Sequence, residues 1–121
     1  KKIVETIHKS GKPAILHSCG NLENVMDDII DVMKYDGKHS YEDKILPVEE
    51  AYTKYHDRVA IIGGIDVDFL CRSTPEEITK RCKNIIELTN GCKGYALGSG
   101  NSIPDYVPIE NYFAMINSVY D

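Results

Sequence analysis

The sequence lacks tryptophan, long apolar runs and any surplus of positive charge. None of its apolar stretches approaches the roughly 18 residues that a membrane-spanning helix needs, so no membrane role is expected. Its 14 basic residues are outnumbered by 19 acidic ones and are not clustered, which argues against nucleic-acid binding. The first ten residues contain no apolar core of a signal peptide. These absences predict a soluble, cytoplasmic protein.

Cysteine is sparse as well. The chain has four cysteines, irregularly spaced and without a CxxC pair, at positions 19, 71, 82 and 92. This spacing predicts reduced thiols rather than a disulfide framework. With 121 residues, of which 42% are hydrophobic, the chain is long enough for one unit, residues 1–121, with a modest core.

Short apolar runs alternate with helical patterns along the chain. Strands are predicted at "PAILH", "DGKHS", "RVAIIGGID" and "GYALGSGN", the third of them buried on both faces. Helices are predicted at residues 2–10, from Asn21 to Met33, from Pro47, from Thr74 to about Asn90, and from Pro108. The fourth helix opens with a capping-box pattern, Thr74 and Glu77, around Pro75.

This alternation predicts an α/β fold, a parallel sheet with helices packed outside it. Two architectures satisfy the pattern, an open doubly wound sheet and a TIM (β/α)8 barrel. Four β/α units make half of a barrel, and a complete barrel usually needs about 250 residues. In both architectures, ligands bind at the carboxyl ends of the strands.

Polar side chains follow each of the four predicted strands. They stand in the segments 17–21, 38–43, 64–66 and 98–102. Because the carboxyl ends of parallel strands lie at one edge of the sheet, these four groups predict an active-site rim.

The first of these groups contains a His-x-Cys pair, His17 and Cys19. Residues i and i+2 of a strand face the same way, so both side chains can reach one ion. Nitrogen and sulfur are the ligands that zinc prefers, and a catalytic site keeps one position open. His39, at the end of the next strand, is the best candidate for a third ligand, and Glu42 and Asp66 are weaker candidates. The alternative is a small apolar cysteine and histidines that only form hydrogen bonds.

Two further features have both a functional and a structural interpretation. Gly98, Ser99, Gly100 and Asn101 could cradle an anionic group of a substrate, or they could form a tight turn that needs glycines with positive φ. Asp66 could serve as an acid or base, or it could cap the short helix that follows it.

Five segments together resemble one family. "HSCGN", "KHSYED", "IIGGIDVDFL", "STPEEI" and "ALGSGNSIPDYVPIENY" resemble the C-terminal part of the uroporphyrinogen decarboxylase superfamily. "HSCGN" is more similar to its cobalamin-dependent (corrinoid) methyltransferase branch. The resemblance implies that the chain is the C-terminal half, about four β/α units, of a TIM barrel.

The resemblance also implies an activity, methyl transfer between a corrinoid protein and a thiol or other acceptor. Zinc would activate the nucleophile, held by His17 and Cys19, with His39 as a possible third ligand. The branch has a distant cysteine ligand, and Ser99 occupies its place here. The chain contains no Asp-x-His-x-x-Gly corrinoid motif, so the corrinoid would belong to a separate partner protein.

The remaining roles are predicted from the positions of the residues at the rim, and for Ser99 also from the resemblance. Ser99 and Asp66 are assigned to the catalytic positions. Asn21, Gly98, Gly100 and Asn101 are assigned to binding of a small-molecule methyl donor or acceptor. Because much of the family's substrate pocket lies in the N-terminal half, this chain alone is expected to be inactive.

Two other functions remain open. A decarboxylase of a porphyrin-like substrate would need cations for the substrate carboxylates, and the rim offers few beyond Lys38 and Arg72. It would also need a histidine at position 99. A non-catalytic half-barrel module would have uncovered sheet edges, and would pair with an N-terminal half or a second copy.

Overall fold

The computed structural model describes residues 1–120 as one sheet with helices on one side. The four strands are β1 (Ile15–His17), β2 (Gly37–His39), β3 (Ala60–Ile62) and β4 (Tyr95–Ala96). The five α-helices are α1 (Lys2–Lys9), α2 (Val48–Tyr55), α3 (Val67–Arg72), α4 (Pro75–Thr89) and α5 (Ile109–Asn117). Every predicted strand is therefore present, although the strands are shorter than their apolar runs. Four of the five predicted helices are present as α-helices, and the one expected from Asn21 to Met33 is not.

The order of the strands decides between the two architectures. All neighbouring pairs are parallel, and the strands lie in chain order β1-β2-β3-β4. An open doubly wound sheet reverses its strand order at a switch point, and this sheet does not. Sequential parallel strands with helical connections are the arrangement of a (β/α)8 barrel, of which this chain forms a part.

The two faces of the sheet differ in burial. Residues at the Leu16, Lys38 and Ile61 level of the register face the helices, and Ile61 is fully buried there with Ile65. On the other face, which would line a barrel's interior, Ile15 is 55% exposed. In β3 itself, Ile61 is fully buried and Ala60 and Ile62 on the other face are half-buried, so the prediction that "RVAIIGGID" is buried on both faces holds only for the helix-facing side. Its apolar run suits a closed barrel, and these residues form only one wall.

The segment after β1 is less regular than predicted. A 3-10 turn at Glu23–Val25 leads into a π-helical stretch at Asp28–Val32, in place of a continuous α-helix. The wider turn lets the Met33 amide donate to the Asp28 carbonyl at 2.7 Å. Asn21 begins the segment as expected, because its side-chain oxygen accepts a hydrogen bond from the Glu23 amide.

Helix α4 begins with the predicted capping box. The Thr74 hydroxyl accepts from the Glu77 amide, and the Glu77 carboxylate accepts from the Thr74 amide at 2.8 Å. The inner face of the helix, with Ile78, Cys82 and Ile85, is buried. Among the described residues, no helix has both the length and the apolar character to cross a membrane.

Candidate active site

The carboxyl ends of β1, β2 and β4 bring six polar residues together. His17 and Cys19 follow β1, His39 and Ser40 end β2, and Ser99 and Asn101 lie in the loop after β4. The register pairs His17 directly with His39, and their rings lie 4.9 Å apart between centroids. The predicted rim therefore exists, and sequence reasoning named every member of this cluster as a site residue except Ser40.

Hydrogen bonds fix the tautomers of the two histidines. Nε2 of His39 lies 3.0 Å from the Ser99 carbonyl oxygen, which can only accept, so this nitrogen carries the proton. Nδ1 of a neutral His39 is then an acceptor, and it lies 2.7 Å from Nδ1 of His17. His17 therefore donates through Nδ1, which leaves Nε2 with a free lone pair. That lone pair faces the Cys19 sulfur at 4.0 Å.

Glycine at position 63 allows this arrangement. Gly63 has φ +74°, and a Cβ there would lie 2.9 Å from the His39 ring and closer still to the Ser99 carbonyl. Any larger residue would separate the histidine from its carbonyl partner. Sequence reasoning did not assign Gly63 to the site, although two consecutive glycines directly after a buried strand are the signal that could have done so.

The Cys19 sulfur is exposed and surrounded by polar groups. The Ser40 hydroxyl donates to it at 3.4 Å, and the Asn101 amide nitrogen donates to it at 3.3 Å. Together with Nε2 of His17, three polar groups from three different strand ends meet at this one atom. A sulfur that accepts two hydrogen bonds is suited to carry negative charge, as a metal ligand or a nucleophile does.

A buried lysine lies beneath this cluster. Lys38 is only 4% exposed, and its ammonium donates to the Ser40 carbonyl oxygen and lies 4.0 Å from the centre of the Tyr41 ring. Burial lowers the pKa of Lys38, against the opposing effect of negative charge on Cys19 and Glu42. Lys38, Ser40, Tyr41 and Glu42 border a small cavity of about 30 Å³.

In the glycine loop after β4, space requires a glycine only at position 100, and a Cβ at Gly98 would make an ordinary contact. Neither Gly98 nor Gly100 has positive φ, so that interpretation was wrong. A Cβ at Gly100 would collide with the Tyr41 carbonyl. The Gly100 amide donates to the Ile65 carbonyl at 2.6 Å, and the Gly98 carbonyl accepts from the Ile65 amide. Both glycines are thus hydrogen-bonded to Ile65, in the segment that follows β3. Their role in substrate binding stays a prediction.

Asp66 acts as a helix cap. Its carboxylate accepts from the amides of Asp68 and Phe69 at the start of α3, and from the Asp43 amide at 2.8 Å. The Ser99 hydroxyl, for its part, donates to the Asn101 carbonyl at 2.6 Å. These contacts confirm the capping interpretation of Asp66. Catalytic roles for Asp66 and Ser99, and a substrate contact for Asn21, stay predictions.

Two donor atoms suited to a metal face each other, Nε2 of His17 and Sγ of Cys19. Both nitrogens of His39 are already hydrogen-bonded. Within residues 1–120, no group of three or more His, Cys, Asp or Glu side chains is arranged to hold a metal ion. The assignment of zinc to His17, Cys19 and His39 therefore stays a prediction.

The fold and the site define a β/α-barrel protein with its polar cluster at the carboxyl ends of the strands. A family model described as uroporphyrinogen decarboxylase (URO-D) matches residues 1–121. The chain belongs to this family.

A solved structure of a methyltransferase from Methanosarcina mazei is similar, with a TM-score of 0.70 and 23% sequence identity. The similarity covers 99% of this chain and 35% of the methyltransferase, so the chain spans about a third of that protein's length. No curated protein sequence matches the chain. At this level of identity, the likeness establishes the shared fold.

Proposed function

We propose that this chain forms part of a corrinoid-dependent methyltransferase. The observation that carries the proposal is the Cys19 sulfur, which faces the free lone pair of His17 at 4.0 Å and accepts two hydrogen bonds at the barrel's ligand-binding edge. Membership of the family and similarity to a solved methyltransferase support it. The substrate would be a thiol or similar methyl acceptor, and a separate corrinoid protein would supply the methyl group.

The donor atoms fit zinc in part. An imidazole nitrogen and a thiolate sulfur are ligands that zinc prefers, and the two atoms face each other. Zinc in such a site would lower the pKa of an acceptor thiol and hold it as the thiolate, which is the nucleophile. His17 and Cys19 would fill two of four positions. The other ligands would come from the acceptor and from residues outside this pair, with His39 available only if its hydrogen bonds break.

Each neighbouring residue has a task in this scheme. His39 holds His17 in the tautomer whose Nε2 lone pair is free. Asn101 orients the Cys19 sulfur through its amide. These groups are fixed before any ligand arrives, so little reorganisation is needed when the acceptor binds.

The uncovered face of the sheet is where we propose that a further partner, the remainder of a barrel, packs. Ile15 on this face is 55% exposed, and His17 and Ala96 on the same face are exposed as well. Closing the barrel would bury this face and complete the substrate pocket. A second copy of the chain is the alternative occupant. We therefore expect methyl transfer from the complete barrel and none from the isolated chain.

Metal analysis tests the proposal. Zinc per complete barrel would be measured by plasma mass spectrometry after dialysis against metal-free buffer, for the wild type, His17→Ala and the control His8→Ala. His8 is paired with Asp36 at the other end of the sheet. We expect near-stoichiometric zinc in the wild type and the control, and loss of zinc in His17→Ala. A complete barrel that binds no zinc would contradict the metal part of the proposal.

A further inference from the structure

Ser40 has an unusual backbone conformation for its residue type. Its φ is +88°, in the left-handed region that non-glycine residues rarely occupy, and it is only 3% exposed. Such a conformation persists only where the surrounding structure enforces it, and it is concentrated at functional sites. Two contacts surround it, Lys38 at its carbonyl and Cys19 at its hydroxyl.

The buried Lys38 enforces this conformation. Residues alternate between the two faces of β2, so His39 faces the interior while Lys38 faces the helices. The Lys38 side chain is almost entirely buried, and its ammonium binds the Ser40 carbonyl and the face of the Tyr41 ring. A buried cation is retained only when it is well partnered, and here its hydrogen-bond partner is the backbone of the residue that contacts the sulfur.

The backbone conformation of Ser40 determines how its hydroxyl contacts the Cys19 sulfur. With the Ser40 backbone turned left-handed, its hydroxyl points back toward β1 and donates to Cys19 at 3.4 Å. The Asn101 amide donates from the other loop at 3.3 Å. Two donors from separate loops fix the position of the sulfur opposite His17. Outer hydrogen bonds of this kind orient ligands and tune their affinity for a metal.

We propose that Ser40 is a positioning residue for the Cys19 sulfur and that Lys38 holds it in place. The identity of the metal in this inference rests on the proposed function. The positions of Ser40, Lys38 and Cys19 do not depend on it. It extends the site beyond the residues that the family resemblance assigns. In this arrangement Lys38 acts on the sulfur through Ser40.

The test uses two variants at position 40 in the complete polypeptide. Ser40→Gly removes the hydroxyl and tolerates positive φ, and Ser40→Ala removes the hydroxyl while it keeps a Cβ. Lys38→Met removes the ammonium and keeps an apolar stem. Ser18→Ala is the matched control, because the Ser18 hydroxyl contacts the Cys19 carbonyl rather than its sulfur. Circular dichroism establishes which variants are folded.

Two readouts follow. The first is the dissociation constant of Co²⁺, read from the sulfur-to-cobalt absorption band. We expect it to rise by about 10-fold or more in Ser40→Gly and Lys38→Met, and to stay within about twofold in Ser18→Ala. The second is the rate at which iodoacetamide alkylates Cys19 in metal-free protein at one pH, relative to the exposed Cys92 in the same chain. We expect this ratio to fall several-fold in the same variants.

The two readouts separate the possible failures. If folded Ser40→Gly or Ser40→Ala binds Co²⁺ and alkylates like the wild type, the positioning role is overturned. If the wild type binds no Co²⁺ but the alkylation ratio still falls in the position-40 variants, the positioning role stands and the metal part of the proposed function fails. If Lys38→Met behaves like the wild type while Ser40→Gly does not, the assignment of Lys38 is overturned.

Discussion

Gly63→Ala is expected to damage both the fold and the site, and its cost can be worked from two features of position 63. The first is backbone conformation. Gly63 has φ +74°, and an alanine held there costs roughly 1–2 kcal/mol. The second is space. The new Cβ would lie 2.9 Å from the His39 ring, inside the 3.0 Å that real Cβ contacts keep, and closer still to the Ser99 carbonyl.

Overpacking of this kind costs about 1–3 kcal/mol, and the hydrogen bond from His39 to Ser99 that it disrupts contributes about 1 kcal/mol. We therefore expect Gly63→Ala to lower the free energy of unfolding by about 3–6 kcal/mol. The substitution would also affect the site. Without its bond to Ser99, His39 would no longer be held with Nδ1 as an acceptor, and His17 would no longer be held in the tautomer that donates through Nδ1.

Gly11 offers a matched control. Its φ is +73°, almost equal to that of Gly63, yet a Cβ there would have nothing within 4 Å. Gly11→Ala should therefore cost only the conformational part, roughly 1–2 kcal/mol. Urea unfolding followed by circular dichroism measures both variants. Equal losses in the two, within about 0.5 kcal/mol of each other, would refute the argument that His39 and Ser99 require a glycine at position 63.

Two further predictions concern the support around the site. Thr74→Ala removes the hydroxyl that caps α4, and should cost about 1 kcal/mol in the same urea assay; an unchanged midpoint would contradict the capping role. Arg81→Met should cost about 3 kcal/mol, because Arg81 is 16% exposed and donates to both Asp43 and Glu49. Burial is the largest single effect and raises the pKa of Glu49. The hydrogen bonds and charge of Arg81, together with a backbone hydrogen bond, outweigh it, so the pKa of Glu49 lies below its ordinary 4.5. Stability from Glu49 is then present above pH 4.5 and lost as the pH falls through the lower folded value. The free energy of unfolding should therefore fall less steeply with decreasing pH in Arg81→Met than in the wild type. An unchanged pH dependence would count against the pairing of Glu49 with Arg81 as its source.

The elements of the fold were predictable because their signals are local. The capping box at Thr74 and Glu77, and the proline before α5, need no knowledge of distant contacts. The choice between barrel and open sheet was different, because it depends on which strands pair. Strands of two or three residues leave no pattern that specifies their neighbours, and the family resemblance supplied what local residues could not.

The irregular helix after β1 was missed for a related reason. Met26, Ile29 and Ile30 have the spacing of an α-helix, and all three are buried. A π turn inserts one extra residue, and here it leaves Met26, Ile29 and Ile30 in the core, so these three positions do not distinguish it from an α-helix. Val25 and Met33, which the regular helix would have buried, are exposed instead.

The candidate site was predictable where the residue type carries the chemistry, and obscure where the residue supplies geometry. His17, Cys19 and His39 stand out because few other side chains bind metals or transfer protons. Gly63 and Ser40 act through backbone conformation and clearance, which depend on segments some 20 to 60 residues away. Lys38 did leave a signal. Period-two alternation places it opposite His39, on the face of β2 that packs against helices, where an unpaired ammonium would be costly. A lysine at such a position requires an acceptor nearby, which marks the end of β2 as part of the site, but only the structure identifies the Ser40 carbonyl as that acceptor.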